Sequence, residues 1–299
     1  MSQGAIRTGF GLDAASASMI GGALAFATMG TLVHALGPRC DWLTVALVRA
    51  VLMLATAATL ARASGARLAV WRPRTLWLRS LAGSFSLVCN FYALARLPVA
   101  DAVTLSNVHP LWIVLVSAMV LRRWPKRAEI VGVACGLAGV ILIERPHLGG
   151  DRLAAAVALL SSASTALAML GLHRLRGLDP RAVVAHFAGV ASLVSVAWLA
   201  IRGEPVPASL FDRTTLLMLL GVGISGTLGQ ILLTRAYATG APGQVAVVGL
   251  TQVVFAMGFD VALWGREVTP GIFAGFVLVL APTTWLAIRS AGVVRGEQG

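Results

Sequence analysis

Apolar runs of about twenty residues, separated by short polar turns, recur from residue 16 to residue 289 of this chain. A run of that length crosses the roughly 30 Å hydrocarbon core of a bilayer as a helix. The pattern predicts helices over 16–36, 42–61, 76–95, 101–121, 128–144, 153–173, 181–201, 214–236, 243–263 and 269–289. The in-out alternation of a membrane barrel is missing, and in lipid every backbone polar group needs an internal partner. The expected fold class is therefore an all-α integral membrane protein with ten transmembrane helices.

The two halves repeat. A shift of 143 residues brings Gly83 onto Gly226, Ala93 onto Ala236, Ala95 onto Ala238, Arg123 onto Arg266, Gly132 onto Gly275 and Leu137 onto Leu280. The turn Arg96–Asp101 falls on Thr239–Gln244. This divides the chain into residues 1–145, helices one to five, and 146–299, helices six to ten. Five is odd, so the second repeat starts from the opposite membrane face, and two inverted five-helix repeats are expected about a pseudo-two-fold axis in the membrane plane. Swapping the conformations of two such halves turns a cavity open on one side into a cavity open on the other at similar energy.

Composition agrees with lipid as the solvent: 58% of residues are hydrophobic and 12% charged, with a mean hydropathy of +0.84. Charge then sets orientation. With the N-terminus inside, the inner segments carry 16 Arg and Lys residues and the outer loops seven, with Arg49 inside a helix. Both termini are expected in the cytoplasm. The same dispersal over short turns argues against a nucleic-acid partner, because no separate basic module exists to dock on a duplex. Cys40, Cys89 and Cys135 lack ligand spacing and read as packing residues, so no metal site or cofactor is expected. The first residues lack the pattern of a cleaved signal, and helix one is expected to stay as an anchor. Heavy use of arginine and alanine points to a GC-rich bacterial genome and hence to the bacterial inner membrane.

The run Asn90-Phe-Tyr-Ala-Leu-Ala-Arg-Leu-Pro-Val-Ala-Asp-Ala-Val-Thr-Leu-Ser-Asn-Val-His-Pro110, set in a five-plus-five duplication, resembles the EamA-type drug/metabolite transporter superfamily. The resemblance covers almost the whole chain. The family's aromatic-Ala-Leu run and mid-helix proline are matched by Tyr92-Ala93-Leu94 and Pro110. Its glutamate after helix four is replaced by Arg122-Arg123-Trp124-Pro125, while the second half keeps Gly265-Arg266-Glu267. Within the superfamily the chain looks most like bacterial exporters of aromatic and other neutral amino acids. Helix one lacks the glutamate by which exporters of cationic drugs resemble one another, and His34 is its only titrating candidate, so lipophilic cations are disfavoured.

Polar groups within a span are costly in lipid and face the bundle interior or a wet cavity. Candidate substrate-binding residues are Asn90, Asn107, His109 and Trp112 from helices three and four, with Thr251 and Gln252 from helix nine. Pro110 removes a helical hydrogen bond and frees a carbonyl near residue 106 for a ligand or a side chain. Candidate gating or cavity residues are Arg49, Gln230, Gln244 and His186, the last within one residue of Arg49 when helices two and seven are aligned on Asp41 and Asp179. Each has a plainer alternative. Arg49 can snorkel, a lone histidine can be an interior hydrogen-bonding residue, and Asn107 can cap the proline kink. Ser161, Ser162, Ser164 and Thr165 are expected to bond their own helix. Asp260 lies about one turn from the outer end and either reaches water or pairs with arginine. Trp42, Trp71, Trp77, Trp124 and Trp264 fall at interfaces, as belt anchors do.

Three classes of function follow. A secondary transporter exporting small neutral metabolites, amino acids above all, by alternating access accounts for the repeat, the polar layers and the lack of a Gly-x4-Gly-Lys-Ser/Thr phosphate loop. Export of other metabolites or of drugs is the neighbouring alternative. A membrane-embedded enzyme would need a constellation of catalytic groups in register, and none is seen; a channel would favour rings of like residues around an oligomer axis. The expected partners are a small-molecule substrate and membrane lipid, with the protein a monomer or weak dimer.

Overall fold

The structure is a computed structural model that describes residues 13–68, 71–94, 96–97, 99–120, 124–146, 151–202 and 212–296. These residues form twelve helices: α1 (Ala14–Leu36), α2 (Trp42–Ala63), α3 (Arg74–Leu94), α4 (Val99–Ser106), α5 (His109–Val120), α6 (Arg127–Glu144), α7 (Arg152–His173), α8 (Pro180–Arg202), α9 (Arg213–Thr239), α10 (Pro242–Gly249), α11 (Thr251–Trp264) and α12 (Pro270–Gly296). Joining the broken pairs α4–α5 and α10–α11 leaves ten.

Aspartate starts many of them. Asp13, Asp41, Asp151 and Asp212 accept from backbone N–H groups in the first turns of α1, α2, α7 and α9, and Asp179 does the same at α8, 2.8 Å from the Arg181 N–H. Seven of the chain's twelve acids are aspartates, and five of them are thus helix caps. Left-handed residues end three of the helices, Gly65 after α2, Arg145 after α6 and Gly265 after α11.

Both helix breaks fall at one place in the repeat. Ser106 and Gly249, the last residues of α4 and α10, are 143 positions apart, the offset read from the sequence. The carbonyls at each break are met in a similar way: His109 Nδ1 lies 3.1 Å from the Ser106 carbonyl, and the Thr251 hydroxyl donates to the Val248 carbonyl at 2.7 Å. Pro110 does free the carbonyl of residue 106, and a side chain takes it.

Among the described residues eight helical stretches are long and apolar enough to cross a membrane, α4–α5 and α10–α11 each counting as one stretch. The expected ten include α3, diluted by Arg74, Arg79, three serines and Asn90, and α6, which carries Arg127, Glu129 and Glu144 in eighteen residues. The packing is inverted relative to a water-soluble domain. The interior is built largely of alanine, valine, glycine and serine, while Leu78, Phe85, Met119, Leu217, Ile224 and Phe273 point outward. Small residues inside let helices approach closely, and large apolar ones outside meet lipid tails.

Helix pairs α1–α9 and α3–α7 are the broadest contacts, followed by α2–α8 and α6–α12. Replacing each helix by its counterpart in the other half exchanges the first two pairs and returns the last two to themselves. Glycines make the seams: Gly22 and Gly229 join α1 to α9, and Gly139 and Gly275 join α6 to α12. Along α3–α7, Ser161 and Ser164 donate to the carbonyls of Ser86 and Ala82 at 2.8 and 2.9 Å, and Ser86 meets Thr165 at 2.6 Å. These hydroxyls therefore bond across helices and not within their own, as the sequence suggested. Only Ser162 keeps a bond to its own helix, at Leu159.

Candidate functional site

Two ends of the bundle are distinct: the end that carries the Gly37 turn, and the terminal end, where α1 begins and α12 finishes. A cavity of about 490 Å³ opens at the Gly37 end, between α1, α4, the end of α6 and α11. Its lower wall is apolar and small, from Phe26, Ala27 and Gly30 of α1, Val103 of α4, and Val253 and Ala256 of α11. Two carboxamides face it across the helix breaks, Asn107 and Gln252. The Asn107 amide donates to the Val103 carbonyl at 2.9 Å, which fixes its rotamer at the end of α4.

The mouth is charged. Arg266 Nη1 lies 3.1 Å from Asp260 Oδ2, and Nη2 donates to the Ile143 carbonyl at 3.1 Å. One guanidinium thus ties α11 to the end of α6, beside Glu144, which also lines the cavity. Gly265, in the left-handed conformation, makes this possible by turning the chain back so that the Arg266 N–H reaches the Asp260 carbonyl. Opposite, His34 meets Trp264 edge to face at 4.9 Å, and both line the cavity. The mouth therefore offers a fixed cation, two carboxylates, an imidazole and an indole within one opening.

Of the ten residues singled out in the sequence, Asn107 and Gln252 line this cavity and the other eight lie off its walls. Asn90 accepts from the Ser106 hydroxyl at 2.8 Å, holding α3 to α4. His109 and Thr251 serve the helix breaks. Trp112 donates its indole N–H to Ser162 at 3.0 Å, joining α5 to α7. Gln244 donates to Ser16 at 3.2 Å, at the terminal end. Gln230 is buried on α9. His186 bonds Ser80 at 2.8 Å and packs edge to face on Trp77 at 4.7 Å. Arg49 lies against Gly226 of α9. Asp260 takes the second of its two expected courses, pairing with an arginine. Glu144 and Arg266 were missed because each sits where a span meets a loop, and a hydropathy profile assigns such charges to the turn.

The sequence profile of the EamA-like transporter family matches this chain twice, at residues 14–145 and 150–287.

The chain belongs to the EamA-like transporter family.

As a member of this family it is a multi-pass membrane transporter. The pseudopaline exporter of Pseudomonas aeruginosa is 31% identical over 219 residues, covering 73% of this chain and 76% of that protein. An uncharacterized transporter of Helicobacter pylori is 29% identical over 223 residues, 72% of this chain and 74% of its own. Human solute carrier family 35 member G1 is 27% identical over 229 residues, 72% of this chain and 62% of its length. A solved crystal structure overlays with a TM-score of 0.79, covering 92% of this chain and 98% of that one, at 19% identity. At that identity the overlay speaks for the fold alone. The family match begins one residue after the Asp13 cap and breaks between α6 and α7, so each copy contains one broken helix and one end of the cavity wall.

Proposed function

We propose that this EamA-like protein is a secondary transporter that exports small neutral metabolites, amino acids including aromatic ones above all, across the bacterial inner membrane by alternating access of two inverted halves. All ten helices cross the bilayer in this reading, with both termini cytoplasmic, and the monomer or a weak dimer is the working unit.

The observation that carries it is the charge and wall chemistry of the cavity. An amino acid carries an ammonium and a carboxylate on one carbon. The mouth presents Glu144 and Asp260 to the first and Arg266 to the second, with Asn107 and Gln252 available to either. Phe26 and Trp264 supply aromatic surface for a side chain. Because Arg266 and Asp260 already pair, an incoming zwitterion exchanges one ion pair for two and loses little to desolvation.

A neighbouring reading is export of a metabolite other than an amino acid. The 31% identity to a pseudopaline exporter favours it, as does the number of charged groups at the mouth. Counterflow in proteoliposomes distinguishes the two. Purified protein should exchange labelled phenylalanine or another neutral amino acid across the vesicle wall without ATP; absence of counterflow across a panel of amino acids would turn the reading to another metabolite.

A further inference from the structure

Arg79 on α3 is 1% exposed. An arginine placed near a helix end normally runs its stem toward the nearest water. Arg79 does the reverse. It enters the bundle from the terminal end, and its Nη1 lies beside Gly83, one turn deeper, where an added Cβ would stand 3.3 Å away. Its stem passes Gly171 of α7, and its guanidinium carbon sits 3.9 Å above the ring of Phe187 on α8. Among the described residues no acceptor meets its Nε or Nη1.

The acids on the neighbouring helices are already engaged. α3 packs on α7 and α8, whose aspartates Asp151 and Asp179 cap their own helices. The Ser84 hydroxyl, one residue past Gly83, is also buried without a partner. A guanidinium in this position is expensive in a lipid-facing bundle, and such groups mark the paths of ligands and ions.

The repeat explains how the slot arose. Gly83 and Gly226 stand 143 residues apart, and Arg49 and Phe187 each lie eight residues after their caps Asp41 and Asp179. Arg49 packs on Gly226 as Phe187 packs on Gly83. The second-half slot holds an aromatic ring, and that ring is the platform under Arg79.

We propose that Arg79 is a carboxylate-binding subsite on the terminal side of the bundle, engaged when that end opens and the Gly37 end closes. This rests on the alternating-access reading above. Phe187 holds the guanidinium plane by its face, which leaves the N–H groups at its edges, the unpartnered Nε and Nη1 among them, as donors for a carboxylate. The substrate's carboxylate thereby meets Arg266 at one end of its path and Arg79 at the other.

The test uses the purified protein as wild type, Arg79→Met and Arg79→Lys. Thermal stability is titrated with phenylacetate, which has a carboxylate, and with phenethylamine, which has none; phenylalanine counterflow is measured in proteoliposomes. Phenylacetate should raise the Tm of the wild type most, that of Arg79→Lys less and that of Arg79→Met least, where only Arg266 is left to meet it, with phenethylamine failing to separate the three. Without probe, Arg79→Met should melt no lower than wild type, since an apolar chain replaces an unpaired charge. The KM for phenylalanine counterflow should rise at least about ten-fold in Arg79→Met. No phenylacetate shift in wild type, an equal shift in Arg79→Met, or a Tm for that variant well below wild type would each overturn the subsite. If the wild type gives the shift and Arg79→Met reduces it while no amino acid exchanges, the subsite stands and the transport reading fails. If counterflow proceeds with the same KM in both, the transport reading stands and the subsite fails.

Discussion

Gly139 on α6 and Gly275 on α12 meet backbone to backbone: a Cβ on Gly139 would stand 2.7 Å from the Gly275 carbonyl oxygen, and one on Gly275 would stand 2.8 Å from that of Gly139. Neither carbonyl can swing aside, since each belongs to a helix. The α6–α12 pair is also one of the two that the repeat returns to itself, so the seam lies on the relation between the halves.

Gly139→Ala should therefore destabilise the protein by about 1–3 kcal/mol, the usual cost of an overpacked site. Gly258→Ala on α11 is the control, because nothing lies within 4 Å of the added Cβ and alanine is the better helix former by up to about 1 kcal/mol. Thermal melts in detergent should show the first variant lower and the second equal or higher. Equal melting of the two variants would mean that the seam opens freely.

The Asp260–Arg266 pair should behave as a group serving the ligand more than the fold. Its side chains are 38% and 35% exposed, and an ion pair so wet contributes at most about 1 kcal/mol. Asp260→Asn and Arg266→Gln are thus expected to move the Tm little while each lowers phenylalanine counterflow by about ten-fold or more. A large Tm drop with normal counterflow would make the pair a structural clasp.

Much of this was legible in the sequence, for reasons that differ by residue. The helices follow from run length, and the 143-residue offset found from Gly83 and Gly226 also carries the two helix breaks, since Ser106 and Gly249 obey it. The carbonyl freed by Pro110 was legible too, because the missing N–H follows from the ring. What the sequence could not tell is which polar side chain faces a cavity and which faces another helix. Asn90, Trp112 and Asn107 lie in the same stretch with similar polarity, yet the first two bond Ser106 and Ser162 while the third lines the opening. That choice depends on helix rotation, set by contacts between distant segments. Arg79 escaped notice for a related reason: five residues from a helix start, it looked like one more inside charge.

The proposed orientation rests on the arginine excess, and fusions test it. GFP attached at the C-terminus should fluoresce and alkaline phosphatase attached there should be inactive, as expected of a cytoplasmic end. Active phosphatase would invert the assignment, making the 490 Å³ cavity face the cytoplasm in this conformation and placing Arg79 on the outer side.

Gln252 and His109 separate the roles that sequence alone joined. Gln252 is exposed to the cavity, where water satisfies its amide in the absence of substrate, so Gln252→Ala strands no partner. Transport should fall and the stability should stay within about 0.5 kcal/mol of wild type. His109 instead caps the Ser106 carbonyl that Pro110 leaves without its helical donor. His109→Ala strands that carbonyl, at about 1–3 kcal/mol, and its loss of transport should track its loss of folded protein. Normalising counterflow to the folded fraction from a melt decides between them: after correction His109→Ala should recover most of its activity and Gln252→Ala should not. If Gln252→Ala instead recovers and His109→Ala stays low, the substrate's path runs along the break in α4–α5 and not along the wall of α11.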